Sequence, residues 1–242
     1  MKNCLLRCEN LEIQYDENII IRSADLSCHG GDIILLMGIN GSGKTSLIDV
    51  MSGHVKAARG EVYFNEKEIK DLSWEERASF TSYLPQFIEK LDDLFVKDYL
   101  EMGLSKESPE VDKLLLRLEV KALLSKRMGI LSGGELKKLA FYVAIKSNPE
   151  VLFLDEPFQN LDPQTKMIFK SILIDYAKLG NGIVMVSHDF IWSSELANKV
   201  YGVKDKTLVH GGKAPAFFSE VMNHPFVKYE EAIVPVTGDL HD

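Results

Sequence analysis

Residues 33–45 read IILLMGINGSGKT, and this stretch decides the fold. Its first part, Ile33–Met37, is an unbroken apolar run of strand length, as expected for a strand buried on both faces of a parallel sheet. The rest, GINGSGKT at 38–45, is a full match to the phosphate-loop pattern G-x-x-x-x-G-K-[ST]. Gly38, Gly41 and Gly43 let the backbone curl and approach phosphate oxygens with no Cβ in the way. Backbone N–H groups and the N-terminus of the helix that follows supply positive potential. Lys44 adds a point charge for the β- and γ-phosphates, and Thr45 offers a hydroxyl to Mg²⁺. Asn40, Ser42 and Ser46 are expected to share in nucleotide binding. A glycine-rich turn with a surface lysine is the plainer reading; a strand before and a helix after, Lys44–Ser52, disfavour it. The motif alone does not separate ATPases from GTPases or small-molecule kinases.

Outward from this point, strand-length apolar runs recur at Phe80–Leu84, Val151–Leu154 and Ile183–Val186. Helical patterns lie between them. Leu136, Leu139, Ala140, Val143 and Ala144 share one helix face, with Pro149 beyond its end, and Thr165–Lys178 reads as a further helix stopping near Gly180. Strands alternating with helices predict an α/β fold with a mostly parallel sheet. Leu11–Tyr15 and Glu61–Phe64 predict a separate antiparallel layer, and residues 87–131 are helical in character, with Leu114, Leu115 and Leu118 on one stripe. Polar residues follow each apolar run: Gly38–Thr45, then Gln86, then Asp155 and Glu156, then His188. Ligands of open α/β sheets bind at the carboxyl ends of the strands, so segments far apart in sequence point at one site.

In VLFLDEP at 151–157, Asp155 ends an apolar run and suits Mg²⁺, directly or through water. Glu156, one residue on, is placed to polarise a water for in-line attack on a γ-phosphate; the alternative is a solvated glutamate beside a metal acid. LSGGE at 131–135 also has two readings. Ser132 and Glu135 have the S-x-x-E spacing of a capping box. A helix N-terminus bearing Gly133 and Gly134 also suits a phosphate, and capping does not require two glycines that cost helix stability.

Of the 242 residues, 45% are hydrophobic and 26% charged, the balance of an ordinary soluble domain with ample core. The net charge of −8 disfavours a nucleic-acid partner. Cys4, Cys8 and Cys28 have neither the parity nor the spacing of a disulfide framework or zinc site and are expected to be reduced thiols. No apolar run approaches the roughly 20 residues that span a bilayer. Arg7 and Glu9 interrupt any leader-like segment at the start, so membrane spans are expected from another polypeptide.

Taken in order, these motifs resemble the ABC (ATP-binding cassette) ATPases over about residues 5–212, with LSGGE similar to their LSGGQ-type signature. Gln86 resembles the Q-loop glutamine, FQNLD at 158–162 the D-loop ending in Asp162, and His188 in MVSHD the switch histidine. Tyr15 stands where the family stacks an aromatic on adenine. The resemblance implies ATP and Mg²⁺ as ligands, with Thr45, Gln86 and Asp155 toward the metal and Glu156 and His188 as catalytic groups. It implies a P-loop NTPase (RecA-like) core at 1–86 and 132–212, an inserted helical subdomain at 87–131 and a tail at 213–242. It also implies a head-to-tail dimer with a second copy or a homologous ATPase, in which Ser132, Gly133 and Gly134 cap a nucleotide held by the other chain. The departures are Glu135 where glutamine is usual, LKKLAF where many relatives carry an arginine, and Phe158-Gln159-Asn160 opening the D-loop.

The leading expectation is an ATP-hydrolysing subunit of an ABC transporter, peripheral on the cytoplasmic face of the membrane and docked to a transmembrane permease. Phe87, Ile88, Leu91, Leu94, Phe95 and Tyr99 are candidates for the apolar docking surface, or alternatively for helical core. The short segment after Gln86, MVSHD and the tail NHPFVKYEE weakly resemble importers for metal ions, siderophores or cobalamin. The alternative is a soluble ABC ATPase outside transport, as in iron–sulfur cluster assembly. No sustained heptads support a DNA-repair or chromosome-structure relative.

Overall fold

The computed structural model describes residues 3–102 and 109–213. The strands are β1 (Cys4–Tyr15), β2 (Asn18–Ile21), β3 (Leu26–His29), β4 (Ile33–Met37), β5 (Arg59–Phe64), β6 (Lys67–Glu68), β7 (Thr81–Leu84), β8 (Val151–Asp155), β9 (Gly182–Val186), β10 (Lys199–Lys204) and β11 (Thr207–Lys213). The helices are α1 (Lys44–Met51), α2 (Trp74–Phe80), α3 (Val96–Met102), α4 (Pro109–Arg117), α5 (Gly133–Lys146), α6 (Pro163–Lys178) and α7 (Phe190–Ser194).

One sheet has the order β11-β10-β4-β9-β8-β7, and all its neighbours are parallel except the β10–β11 hairpin. The other is antiparallel, β2-β1-β5-β6 with β3 also on β1, which is the separate β layer expected from sequence. Period-two alternation sorts the central strands between two cores. Ile33, Leu35, Leu152, Leu154, Ile183 and Met185 pack with Leu139, Phe141, Phe169 and Leu173 of α5 and α6. Ile34, Leu36, Phe153, Val184 and Val186 pack with Leu47, Ile48 and Met51 of α1 and with Leu6, Cys8 and Phe64 of the antiparallel sheet. The parallel sheet is therefore covered on both faces, which is why its strands read as continuous apolar runs.

The local devices are legible residue by residue. At α5, Ser132 Oγ accepts from Glu135 N (3.2 Å) and Ser132 N donates to Glu135 Oε2 (2.9 Å), a complete capping box. Ser73 and Glu76 do the same for α2, which runs through Phe80 and leaves the strand expected at Phe80 to start at Thr81. Between β7 and α5 the described residues form α3, α4 and two 3₁₀ turns. There Val96, Leu118, Val120, Leu123 and Met128 are buried and continuous with the α5–α6 core. Of the expected stripe, Leu118 is fully buried while Leu114 and Leu115 pack partly against that core. The three cysteines are free thiols. Among the described residues no helix is long and apolar enough to cross a membrane. The tail motif NHPFVKYEE lies outside the described residues.

Phe153 is fully buried at the centre of β8. Phe153→Ala is expected to cost about 3–5 kcal/mol in urea denaturation, because the cavity lies between two rigid layers and cannot collapse. A loss below about 1 kcal/mol would contradict this packing.

Candidate functional site

β4 delivers the phosphate loop. Gly38, Gly41 and Gly43 all adopt positive φ (152°, 75° and 99°), so the loop is built from conformations that side chains resist. A Cβ at Gly43 would stand 2.6 Å from Ile20 Cγ2, so the glycine also admits β2 against the loop. Gly43 is the left-handed N-cap of α1 and offers no side chain to its orphan N–H groups, which stay available to an anion. Lys44 folds back into the loop, donating to the carbonyls of Gly38 (2.8 Å) and Ile39 (2.9 Å). Thr45 Oγ1 donates to Asp155 Oδ2 at 2.8 Å, joining the first turn of α1 to the end of β8.

Glu156 follows at the head of the next turn with φ 50°, a strained left-handed conformation for a side chain of this size. Its N–H donates to Val186 O (2.9 Å), which extends the β8–β9 pairing by one residue and holds the strain. Glu156 Oε2 accepts from His188 N (3.1 Å), and His188 Nε2 stands 3.6 Å from Oε1. Oε1 is buried and accepts no hydrogen bond. Gln86, just past β7, donates to Gln159 Oε1 at 3.3 Å.

These side chains border one cavity of about 590 Å³, lined by Tyr15, Asn40, Gly41, Gly43, Lys44, Thr45, Ser46, Gln86, Asp155, Glu156 and His188, with Ile20, Gln159 and Val186. The strand ends thus converge on one cavity, and eleven of the seventeen expected site residues line it. Gly38 contributes through its carbonyl to Lys44. Ser42 Oγ is buried without a partner, and Ser42 borders a neighbouring cavity. Ser132, Gly133 and Gly134 do not line this cavity. Asp162 does not line it either; it caps α6 through Thr165 N (2.9 Å) and Thr165 Oγ1 (2.6 Å). Two participants escaped the sequence reading. Gln159 registers in the sequence only as a departure in the opening of FQNLD, not as a site residue. Lys137 is buried near the carboxylates, and its only signal is that it stands one helical turn before buried Phe141.

The charges are mutually adjusted. Burial raises Glu156 to about 7, Asp155 adds to the rise, and the His188 N–H, Lys44 and Lys137 oppose it. Burial also raises Asp155, against the Thr45 hydroxyl and the two lysines. Lys44 is lowered by burial. His188 is lowered by burial and then by Lys44.

This fold and this site define the class: a P-loop NTPase cassette. The ABC transporter family model matches residues 21–159, more than half the chain, and the chain belongs to that family. Curated relatives include a putative ABC transporter ATP-binding protein of Clostridium tetani, 28% identical over 82% of this chain and 47% of its own length. The Fe(3+) ions import ATP-binding protein FbpC of Fusobacterium nucleatum is 29% identical over 90% of this chain and 60% of its own length. The lipopolysaccharide export system ATP-binding protein LptB of Acidithiobacillus ferridurans is 26% identical over 93% of this chain and 95% of its own. The chain thus spans about half the length of the first relative and three-fifths of the second. The crystal structure of a nucleotide-free ATP-binding cassette from an ABC transporter superposes with a TM-score of 0.80 at 24% identity, covering 93% of this chain and 96% of that one.

The residues present fit ATP with Mg²⁺. A lysine and an uncapped helix start suit phosphate, and Thr45 with Asp155 is the sparse oxygen set Mg²⁺ takes when phosphates and water complete its shell.

The raised Glu156 carboxyl makes a stability prediction for the nucleotide-free protein. Its ordinary value is 4.5 and its folded value about 7, so the folded state holds the proton more tightly. Stability should then fall as pH rises through the window from 4.5 to about 7, and the penalty is complete above it. Glu156→Gln is expected to raise Tm above this window and leave it unchanged below; an equal effect at both pH extremes would contradict the burial account.

Proposed function

We propose that this chain is an ATP-binding and ATP-hydrolysing subunit of an ABC transporter, driving substrate movement through a separate transmembrane permease. The observation that carries the reading is the convergence of Lys44, Thr45, Gln86, Asp155, Glu156 and His188 on one cavity at the carboxyl ends of neighbouring parallel strands. In this reading Tyr15, 42% exposed at the rim, stacks on adenine. Lys44 exchanges its two carbonyl partners for β- and γ-phosphate oxygens, while Asn40, Gly41, Ser42, Gly43 and Ser46 cradle them. Thr45 and Asp155 would hold Mg²⁺, with Gln86 lining the same cavity; the ion would supply charge neutralisation for the phosphates. Glu156, poised near neutrality, accepts the proton of the attacking water through Oε1, and His188 orients that carboxylate.

The head-to-tail dimer is supported by the geometry at Gly133 and Gly134. An added Cβ at either would meet nothing within 4 Å, so this chain's own packing gives no reason for glycine. The capping box holds the Ser132 loop in shape while its exposed face stays open to a nucleotide on a second copy. The named relatives serve import and export alike, so the direction of transport and its substrate are left to the permease. They also disfavour a soluble ATPase outside transport.

The permease would approach the segment after Gln86 on the cytoplasmic face of the membrane. The candidate docking residues divide. Phe87 is 83% exposed and Leu91 43%, whereas Ile88, Leu94 and Tyr99 pack against the core. Phe95 is half-buried under the Arg127 guanidinium and beside the Lys97 ammonium, and its backbone bridges to Arg127, which gives it a role within this segment. The docking surface narrows to Phe87 and Leu91.

Purified wild-type protein should hydrolyse Mg·ATP. Lys44→Ala should abolish turnover, and Glu156→Gln should bind nucleotide but slow hydrolysis by roughly 10²–10⁴-fold. Wild-type rates in Lys44→Ala would refute the assignment. A second experiment addresses docking. Leu91→Glu is expected to release the subunit from membranes holding its permease, because an unpaired charge in an apolar contact costs several kcal/mol. The Tm and ATP affinity of the variant should not change. A folded Leu91→Glu protein that stays membrane-bound would refute this surface.

A further inference from the structure

Helix α7 begins two residues after His188 and is five residues long, too short to hold itself in place. What fastens it is α6. Phe169, Ile172 and Leu173 root α6 in the core, and two of its lysines, one turn apart, reach the α7 segment. Lys166 pairs with Asp189. Lys170 pairs with Glu195 and lies over the Trp192 ring, 5.8 Å from its centroid.

Asp189 joins this clamp to the nucleotide site. Its Oδ2 takes the Lys166 ammonium, and its Oδ1 accepts from Trp192 N at 3.5 Å as the cap of α7. Its own N–H donates to Ser187 Oγ at 3.1 Å. His188 is therefore held through its backbone neighbours. Its side chain is 48% exposed and stands 3.6 Å from Glu156 Oε1, farther than a hydrogen bond that could orient the ring. The Lys166 and Asp189 side chains are only 19% and 24% exposed. A pair so far out of water returns little net stability, because desolvation offsets the attraction. What it supplies is a fixed distance between α6 and the residue after His188.

We infer that Lys166 is a positioning residue for hydrolysis: through Asp189 it sets the His188 ring against Glu156, while Lys170 fastens only the far end of α7. This rests on the reading of His188 as the group that orients the Glu156 carboxylate. Lys166 does not line the nucleotide cavity, and the charges that shift His188 are those of Lys44 and Asp155. Its effect is therefore geometric.

Two readouts on the full chain test this. The first is Mg·ATP turnover, with the slow variants followed as single turnovers of radiolabelled ATP under excess protein. Lys166→Met should lower kcat about tenfold with KM unchanged, since a small misplacement of a reacting group costs at least that much. Lys166→Arg should restore most of the rate. Asp189→Asn keeps a capping oxygen and loses the ion pair, so it should match Lys166→Met. In a His188→Ala background, Lys166→Met should have no further effect, because the ring it places is gone. The second readout is the His188 ring signal in ¹⁵N-histidine-labelled protein, assigned by its loss in His188→Ala. It should move in Lys166→Met and stay in place in Lys170→Met, which should lower Tm but keep the wild-type kcat. Where Lys166→Met folds poorly, Asp189→Asn carries the same comparisons. A folded Lys166→Met chain with wild-type kcat overturns the inference, as does an unmoved His188 signal. A loss of equal size with and without His188 also overturns it, because that marks a merely structural role. His188→Ala turning over at the wild-type rate defeats instead the reading of His188 on which this rests.

Discussion

The hydrogen bond from Thr45 to Asp155 spans 110 residues of sequence at 2.8 Å, and the rest of the site depends on it. It registers the start of α1 against the end of β8, and so the phosphate loop against the carboxylates. Three features of the fold make it possible. Parallel β4, β9 and β8 place their carboxyl ends side by side. Gly43 turns the chain into a helix without a side-chain cap. Apolar packing on both faces of the sheet leaves the strand ends no room to drift.

The same burial sets the chemistry. Asp155 and Glu156 lie almost wholly out of solvent, and each is raised chiefly by that burial. Two lysines offset the carboxylates without saturating them, since Lys44 is hydrogen-bonded to its own loop and Lys137 to Pro85. Glu156 keeps one oxygen without a hydrogen bond on a strained backbone, a local cost the surrounding sheet stabilises against. A site with an orphan acceptor, free helix N–H groups and a lysine able to change partners is prepared for a phosphate and a polarised water.

Much of this was legible because both-face burial writes itself as uninterrupted apolar sequence. Ile33–Met37, Val151–Leu154 and Ile183–Val186 lie in strands, and the polar residues after them line the cavity. The unread parts have specific causes. Phe80 looked like strand because it opens the FTSYL stretch with Tyr83 and Leu84 further on, yet the Ser73–Glu76 capping box carries α2 through it. The β10–β11 hairpin turns on Asp205 and Lys206, both at positive φ (48° and 64°), where the usual glycine or asparagine signal is absent. Lys137 hid because a lysine in a KK pair reads as solvated surface. The docking candidates divided because a short apolar run gives no indication of which side chains turn inward; Leu94 and Tyr99 do, and Phe87 does not.

The central claim is that the loop at 38–45 and the carboxylate at Asp155 form a single Mg²⁺-nucleotide site. Calorimetric titration of the wild-type chain with ATP, in the presence and absence of Mg²⁺, tests it most directly. The account predicts saturable binding of one nucleotide per chain, with Mg²⁺ tightening it by about tenfold or more. Absence of saturable binding, or an affinity indifferent to Mg²⁺, would contradict it.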